Sequence, residues 1–219
     1  MTGEKVKERA RECGKAERVG GIYCPIKRAL DLLVAYILLF FLYISMLLIA
    51  LSVKLTSRGS VIFRQERVGT DGKLFVCYKF RTMRSDAPPQ LSTAEFTDAD
   101  KYITAVGRFL RKTSLDELPQ LFNVLSGDMS LVGPRPLIPS EREVHRMRAE
   151  LGVYAVRPGI TGLAQVCGRD AVSDTEKVRY DAEYTEKLGL LTDIKIIFLT
   201  FFKVCSCEGV GLSTKEERS

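Results

Sequence analysis

Residues 32–53 carry no charged side chain and are dominated by Leu, Ile, Phe, Val and Ala. As a helix rising about 1.5 Å per residue, this run is roughly 33 Å long, enough to cross a hydrocarbon core. A soluble domain in a chain of 219 residues would have to cover such a helix on every side, and a core of that size rarely does so. The run is therefore expected in a membrane.

Its flanks bear on topology. Lys5, Lys7, Arg9, Arg11, Lys15, Arg18, Lys27 and Arg28 precede it, and Lys54, Arg58, Arg64, Arg67, Lys73, Lys79, Arg81 and Arg84 follow it. Basic flanks favour the cytoplasmic side. A straight span must export one of these two equally basic flanks, whereas a helix that enters and returns keeps both inside. Re-entry is the expectation, with Tyr36, Tyr43 and the terminal Lys and Arg residues anchoring at the interface.

A net charge of +6 calls for an anionic partner, whether nucleic acid, phospholipid headgroups or a phosphorylated substrate. Six scattered cysteines without a CxxC array, and a single histidine, His145, argue against zinc and for a reducing compartment. No cleavable signal peptide is expected, because residues 1–25 are charged and no small-residue cleavage site follows the apolar run.

The organisation reads as a basic tail or helix over residues 1–24, a re-entrant membrane helix over 25–56, a main domain over 57–205 and a tail over 206–219. Within the domain, 61–63 and 74–80 read as strands joined by a turn at Gly69-Thr70-Asp71-Gly72. Residues 85–100, with Pro88-Pro89, read as a surface loop. Helical patterns cover 104–111, 118–125, 140–151 and 175–188, and the apolar stretch 194–204 reads as a helix lying on the membrane surface. The fold class is α/β, mostly helical, with interfacial amphipathic helices.

Chemistry centres on Arg111-Lys112-Thr113-Ser114-Leu115-Asp116-Glu117-Leu118-Pro119-Gln120. Ser114 and Glu117 have capping-box spacing, but that register places Pro119 at the fifth helical position, where its missing N–H is harmful. With Asp116 as N-cap, Pro119 falls in the tolerant first turn. Either register puts two carboxylates at a helix N-terminus, among backbone donors that also favour phosphate. Adjacent carboxylates cannot straddle a glycosidic bond. They could divide labour, one attacking phosphorus and one holding Mg²⁺, or Asp116 could simply cap a helix. Downstream, prolines on both sides of Arg135 in Gly133-Pro134-Arg135-Pro136 suit a fixed, bidentate phosphate contact or an ordinary rigid turn. Tyr78-Lys79-Phe80-Arg81-Thr82-Met83 and Arg157-Pro158-Gly159-Ile160-Thr161-Gly162 add basic groups beside aromatic or glycine-rich backbone.

In this order these segments resemble the monotopic phosphoglycosyl transferases, the bacterial sugar transferase family, in its minimal form. The resemblance covers residues 27–200. It rests on Lys27-Arg28-Ala29-Leu30-Asp31, Phe63-Arg64-Gln65-Glu66-Arg67-Val68-Gly69, the Lys79 and Asp116-Glu117 segments, the Gly133 turn and residues 157–168. It implies transfer of a sugar phosphate from a UDP-sugar to polyprenyl phosphate, giving polyprenyl-diphosphate-sugar and UMP. This is an initiating step of glycoconjugate or exopolysaccharide synthesis. Asp116 would be the nucleophile of a covalent phosphosugar intermediate and Glu117 its partner, both at a Mg²⁺ site. Arg111 and Arg135, then Lys79, Arg81 and Arg157, would contact phosphate or nucleotide. The catalytic domain would sit on the cytoplasmic face of the bacterial inner membrane, in contact with membrane lipids and without nucleic acid; a homo-oligomer stays open.

The chain departs from the family at its membrane helix. The usual Ser-Pro break reads Ser45-Met46, and a later Ser-Pro-Gly-Pro pattern reads Ser57-Arg58-Gly59-Ser60. Re-entry would then rely on Ser45 bonding its preceding turn, or on Lys27, Arg28 and Asp31 tethering to backbone ends. His145 reads as a solvated surface residue, Arg179-Tyr180-Asp181 and Glu183-Tyr184 as a charged helix face, and Cys205 and Cys207 as idle thiols more than acylation sites. Two other classes remain: a metal-dependent hydrolase of UDP-sugars and a non-enzymatic basic membrane scaffold.

Overall fold

A computed structural model describes residues 23–87, 101–168 and 173–205. The readings made for the two terminal tails, for most of the 85–100 loop and for the side chains of Cys205 and Cys207 lie outside these residues.

Helix α1 (Tyr23–Thr56) runs without a break for 34 residues. By length and composition it can cross a membrane, and only 11% of its most apolar window is buried. One stripe of the helix does the packing. Asp31, Ala35, Leu39, Met46, Ile49, Ala50 and Val53 recur at helical spacing and meet the rest of the protein. The opposite side presents Leu33, Tyr36, Phe40, Phe41, Tyr43, Ile44, Leu47, Leu48, Leu51 and Leu55 outward.

A hairpin follows, β1 (Ile62–Val68) and β2 (Leu74–Phe80), antiparallel from Ile62 opposite Phe80 to Val68 opposite Leu74. Strand β1 is longer than its apolar residues indicate, because Arg64, Gln65 and Arg67 stay in the ladder. Helix α2 (Ala105–Thr113), a 3₁₀ turn (Leu115–Glu117) and helix α3 (Gln120–Ser126) come next. Then come β3 (Ser130–Val132), α4 (Arg142–Glu150), a 3₁₀ turn (Val153–Ala155), β4 (Gly159–Thr161), α5 (Leu163–Cys167), α6 (Asp174–Glu186) and α7 (Leu190–Cys205). Strands β3 and β4 pair in parallel, Ser130 with Gly159 and Val132 with Thr161. The described chain is thus mostly helical with two small two-stranded sheets.

Three apolar clusters hold these pieces together. Ala35 of α1 joins Cys77, Leu121, Val124 and Met129; Val53 of α1 joins Phe80 and Leu110; Val132, Val166, Tyr184 and Ile196 form the third. Two of the three therefore depend on α1. Its polar ends are fastened too. Arg28 donates to the carbonyls of Val124 and Leu125, at 2.7 and 3.2 Å, and Asp31 accepts from the Ser130 hydroxyl and the Leu131 N–H. Lys27 and Tyr23 both donate to Asp193 of α7, at 2.5 and 2.6 Å. At the far end Arg81 donates to the Ser57 and Arg58 carbonyls. Arg28 and Asp31 do tether to backbone, whereas Lys27 bonds the Asp193 carboxylate instead; the exposed Ser45 side chain makes no bond among the described residues and the helix shows no break there.

Helix α7 repeats the pattern on a smaller scale. Asp193 and Ile196 face inward, whereas Leu191, Ile194, Ile197, Phe198, Phe201 and Phe202 are exposed.

Candidate active site

The site begins with the end of α2. Thr104 caps its start, accepting from the Gly107 N–H, and Ser114 ends it in the left-handed region at φ 57°. Neither of the two registers read from the sequence is adopted: the capping box is absent, since Ser114 makes no side-chain cap bond. Asp116 is not an N-cap either. It lies inside the 3₁₀ turn, and Pro119 stands just before α3, where its missing N–H costs nothing. Leu115 and Leu118 pack on the cluster of Val53, Phe80 and Leu110, which fixes the turn from its apolar side.

Helix α3 is aligned on β2 by one buried amide. The Asn123 side chain accepts from the Tyr78 N–H at 3.0 Å and donates to the Val76 carbonyl at 2.7 Å, mimicking a neighbouring strand. That docking sets the carboxylate turn against Lys79. Lys79 Nζ donates to Glu117 Oε1 at 2.7 Å, and Arg135 Nη2 donates to the same oxygen at 3.0 Å.

The two adjacent carboxylates have opposite surroundings. Burial alone would raise the Glu117 carboxyl, but Arg135 and Lys79 outweigh it and hold the group at about 2, so it stays ionised. Asp116 moves the other way, pushed up by burial and by the neighbouring Glu117 charge, with Lys79, Arg111 and Arg135 pulling back. Among the described residues, nothing donates to either Asp116 oxygen or to Glu117 Oε2. Asp116 therefore keeps an accessible lone pair beside three cations.

Arg135 reaches the site because its backbone is pressed against β4. A Cβ on Gly133 would lie 2.3 Å from the Arg157 carbonyl oxygen, and one on Gly159 would lie 2.1 Å from the Gly133 nitrogen. Only glycines allow this approach, and it explains why the Gly133-Pro134-Arg135-Pro136 and Arg157-Pro158-Gly159 segments occur together.

The structure thus gathers Lys79, Asp116, Glu117 and Arg135, with Arg111 near enough to act on Asp116 while its Nε donates to Thr82 Oγ1 at 2.9 Å. Arg81 and Arg157 have their partners elsewhere: Arg81 holds the end of α1, and Arg157 Nε donates to the Gly127 carbonyl at 3.0 Å. Lys27, Arg28 and Asp31 serve the other end of α1. Sequence reasoning missed Asn123, Arg67 and Gln120. The last two line a cleft with Cys77, Lys79, Arg135 and Pro136. Arg67 donates to the Pro136 carbonyl and to Gln65 and, among the described residues, has no carboxylate within ion-pair distance. A buried amide in a short apolar helix is the one signal that points to Asn123. Two further readings are corrected. His145 is partly buried, bonded to the Tyr154 hydroxyl and the Ile138 carbonyl, and Asp181 and Tyr184 are buried rather than part of a solvated face.

Comparison with known proteins matches residues 22–207 to the family model described as bacterial sugar transferase. The chain is 44% identical over 192 residues to the UDP-glucose:undecaprenyl-phosphate glucose-1-phosphate transferase of Escherichia coli K12, covering 84% of this chain and 41% of that protein. It is 44% identical over 191 residues to the undecaprenyl-phosphate galactose phosphotransferase of Salmonella typhimurium, covering 80% and 39%. It is 38% identical over 212 residues to the exopolysaccharide production protein ExoY of Sinorhizobium fredii, covering 90% and 92%. The chain thus spans about two fifths of the first two relatives and nearly all of the third. With the family model matched over most of its length, and a carboxylate pair set among cations, the chain belongs to the bacterial sugar transferase family.

Proposed function

We propose that this protein transfers a sugar phosphate from a UDP-sugar to polyprenyl phosphate at the cytoplasmic face of the bacterial inner membrane. The observation that carries this reading is the unengaged Asp116 carboxylate beside Glu117, whose charge is already balanced by Lys79 and Arg135. The substrates in the names of the relatives, UDP-glucose and undecaprenyl phosphate for the Escherichia coli protein and undecaprenyl phosphate for the Salmonella typhimurium one, support the same class of donor and acceptor here.

Two polyanions repel, and a two-step route separates them. An Asp116 oxygen attacks the β-phosphorus of the donor, the bond from that phosphorus to the bridging oxygen breaks, and UMP leaves with the electron pair. An oxygen of polyprenyl phosphate then attacks the same phosphorus and frees the Asp116 carboxylate, giving polyprenyl-diphosphate-sugar. Lys79, Arg111 and Arg135 offset charge on the phosphoryl oxygens. Glu117 keeps Lys79 and Arg135 in place.

The donor set suits Mg²⁺. That ion is usually held by one or two carboxylates together with substrate phosphate oxygens and water. Asp116 and Glu117 Oε2 supply the carboxylate share, and among the described residues no larger His, Cys, Asp or Glu group is gathered. Bound there, Mg²⁺ would neutralise diphosphate charge.

The packing of α1 supports a monotopic arrangement with both helix ends on one side. Arg28 and Asp31 are fastened to residues 124–131, and Val53 and Ser57 to Phe80 and Arg81 of the same domain. A perpendicular crossing would pull one of these polar tethers through hydrocarbon. The outward faces of α1 and α7, with Phe109 and Phe122, instead suit a domain seated in one leaflet. The reading is tested by incubating purified protein with a panel of UDP-sugars, Mg²⁺ and polyprenyl phosphate and identifying the lipid product by mass. Repeated turnover to UMP without the lipid phosphate would mark a hydrolase, whereas the covalent route releases a single equivalent and stops.

A further inference from the structure

The segment 133–138 cannot hold its own shape by hydrogen bonding. Pro134 and Pro136 lack N–H groups, so its carbonyls must find donors elsewhere. Five successive carbonyls do. Pro134 O accepts from the Gly159 N–H at 2.9 Å and Leu137 O from the Val68 N–H at 3.0 Å. Arg135 O accepts from Arg148 Nη1 at 2.8 Å, Pro136 O from Arg67 Nη1 at 3.1 Å and Ile138 O from His145 Nε2 at 2.8 Å. Only one of these donors grips the residue whose side chain reaches Glu117.

That donor is part of a buried ion pair. Arg148 of α4 is 4% exposed, and its Nη2 lies 2.5 Å from Oδ2 of Asp181, which is 1% exposed on α6. Buried pairs carry a desolvation cost, and apolar residues of similar volume often serve stability equally well. Apolar residues here would leave the Arg135 carbonyl without its donor. The planar guanidinium can face Asp181 with one nitrogen and Arg135 with the other, which a lysine ammonium cannot reproduce.

We infer that Arg148, oriented by Asp181, is a positioning residue that fixes the backbone of Arg135 and so aims its guanidinium at Glu117 and the transferred phosphate. This rests on the reading of Glu117 and Arg135 as transferase machinery. Neither Arg148 nor Asp181 touches substrate.

The test is a mutant cycle in the full-length protein. Arg148→Met with Asp181→Leu removes both charges together, so no lone buried charge remains. This double variant is expected to fold, to bind the UDP-sugar donor with KM within about threefold, and to lose about tenfold or more in kcat. Arg135→Ala alone is expected to cost about a hundredfold. In the double-variant background it should add only about tenfold, bringing the triple variant no lower than Arg135→Ala alone, because residues acting through one another are not additive. A purely structural role would leave the Arg135→Ala penalty unchanged. Arg148→Lys, which keeps the charge opposite Asp181, is the second variant should the first not fold, with the same loss in kcat and the same non-additivity expected. A folded variant of either kind with kcat within about twofold of wild type, or equal Arg135→Ala penalties in both backgrounds, overturns the inference. Should Arg135→Ala itself leave turnover intact, the reading of the site fails; should it abolish turnover while Arg148 variants remain fully active, only the positioning role fails.

Discussion

Glu117 Oε1 and Lys79 Nζ lie 2.7 Å apart with both side chains largely buried, and the same oxygen also receives Arg135 at 3.0 Å. One carboxylate oxygen thus joins the hairpin, the 3₁₀ turn and the proline-flanked loop. Its neighbour Asp116 stands one residue away with no such partner among the described residues. Division of labour between identical chemical groups comes from placement, not from the side chains themselves.

That placement has a pH signature. The folded Glu117 carboxyl sits at about 2 against an ordinary 4.5. Its contribution to stability is therefore complete above the ordinary value and is lost as pH falls toward 2. Denaturant unfolding in detergent should show wild type and Glu117→Gln differing most near pH 6 and converging as the solution is acidified toward pH 3, these being approximate working points. A gap that does not narrow would mean that the ion pairs are not formed in solution.

For Asp116 the sign is opposite. Its raised carboxyl favours the protonated form in the folded state, so ionisation at neutral pH works against folding. Asp116→Asn is expected to abolish transfer while leaving the melting temperature at pH 7 equal to or above that of wild type. A clear drop in melting temperature would point to a structural carboxylate.

Asn123 offers a test of alignment. Asn123→Ala orphans the Tyr78 N–H and the Val76 carbonyl, at about 1–3 kcal/mol for each buried group left unpaired. Lower stability and reduced kcat are expected together, because α3 carries the end of the carboxylate turn. Full activity in a destabilised Asn123→Ala protein would show that the turn is held in place without this amide.

Topology can be read with thiol reagents. Cys24 at the start of α1 and a cysteine placed at Arg58 beyond its end, each as the sole thiol, should be labelled from the same side of sealed vesicles. Labelling from opposite sides would establish a true span and remove the support drawn from the tethers.

Much of this was legible in the chain because it is written in local chemistry. The uncharged run 32–53 announced α1, and two short strand-like stretches joined by a glycine turn announced the hairpin. What stayed hidden depends on distant residues meeting. The register at Ser114 could not be chosen locally, since a left-handed residue followed by a 3₁₀ turn satisfies the same spacing as a capping box. Arg81 and Arg157 carry the same charge as Arg135, and only the fold shows that their donors are engaged at helix ends. Asp181 and Tyr184 sit among charged neighbours on a helix that looks solvated until α4 and α7 cover it.

The central claim is that an oxygen of Asp116 attacks phosphorus. Intact-mass analysis of the purified protein with UDP-sugar and Mg²⁺ but no polyprenyl phosphate tests it most directly. The account predicts an added sugar phosphate that maps to residue 116, disappears when polyprenyl phosphate is supplied and is missing from Asp116→Asn. Active protein that never carries this adduct, or carries it on another residue, would contradict the account.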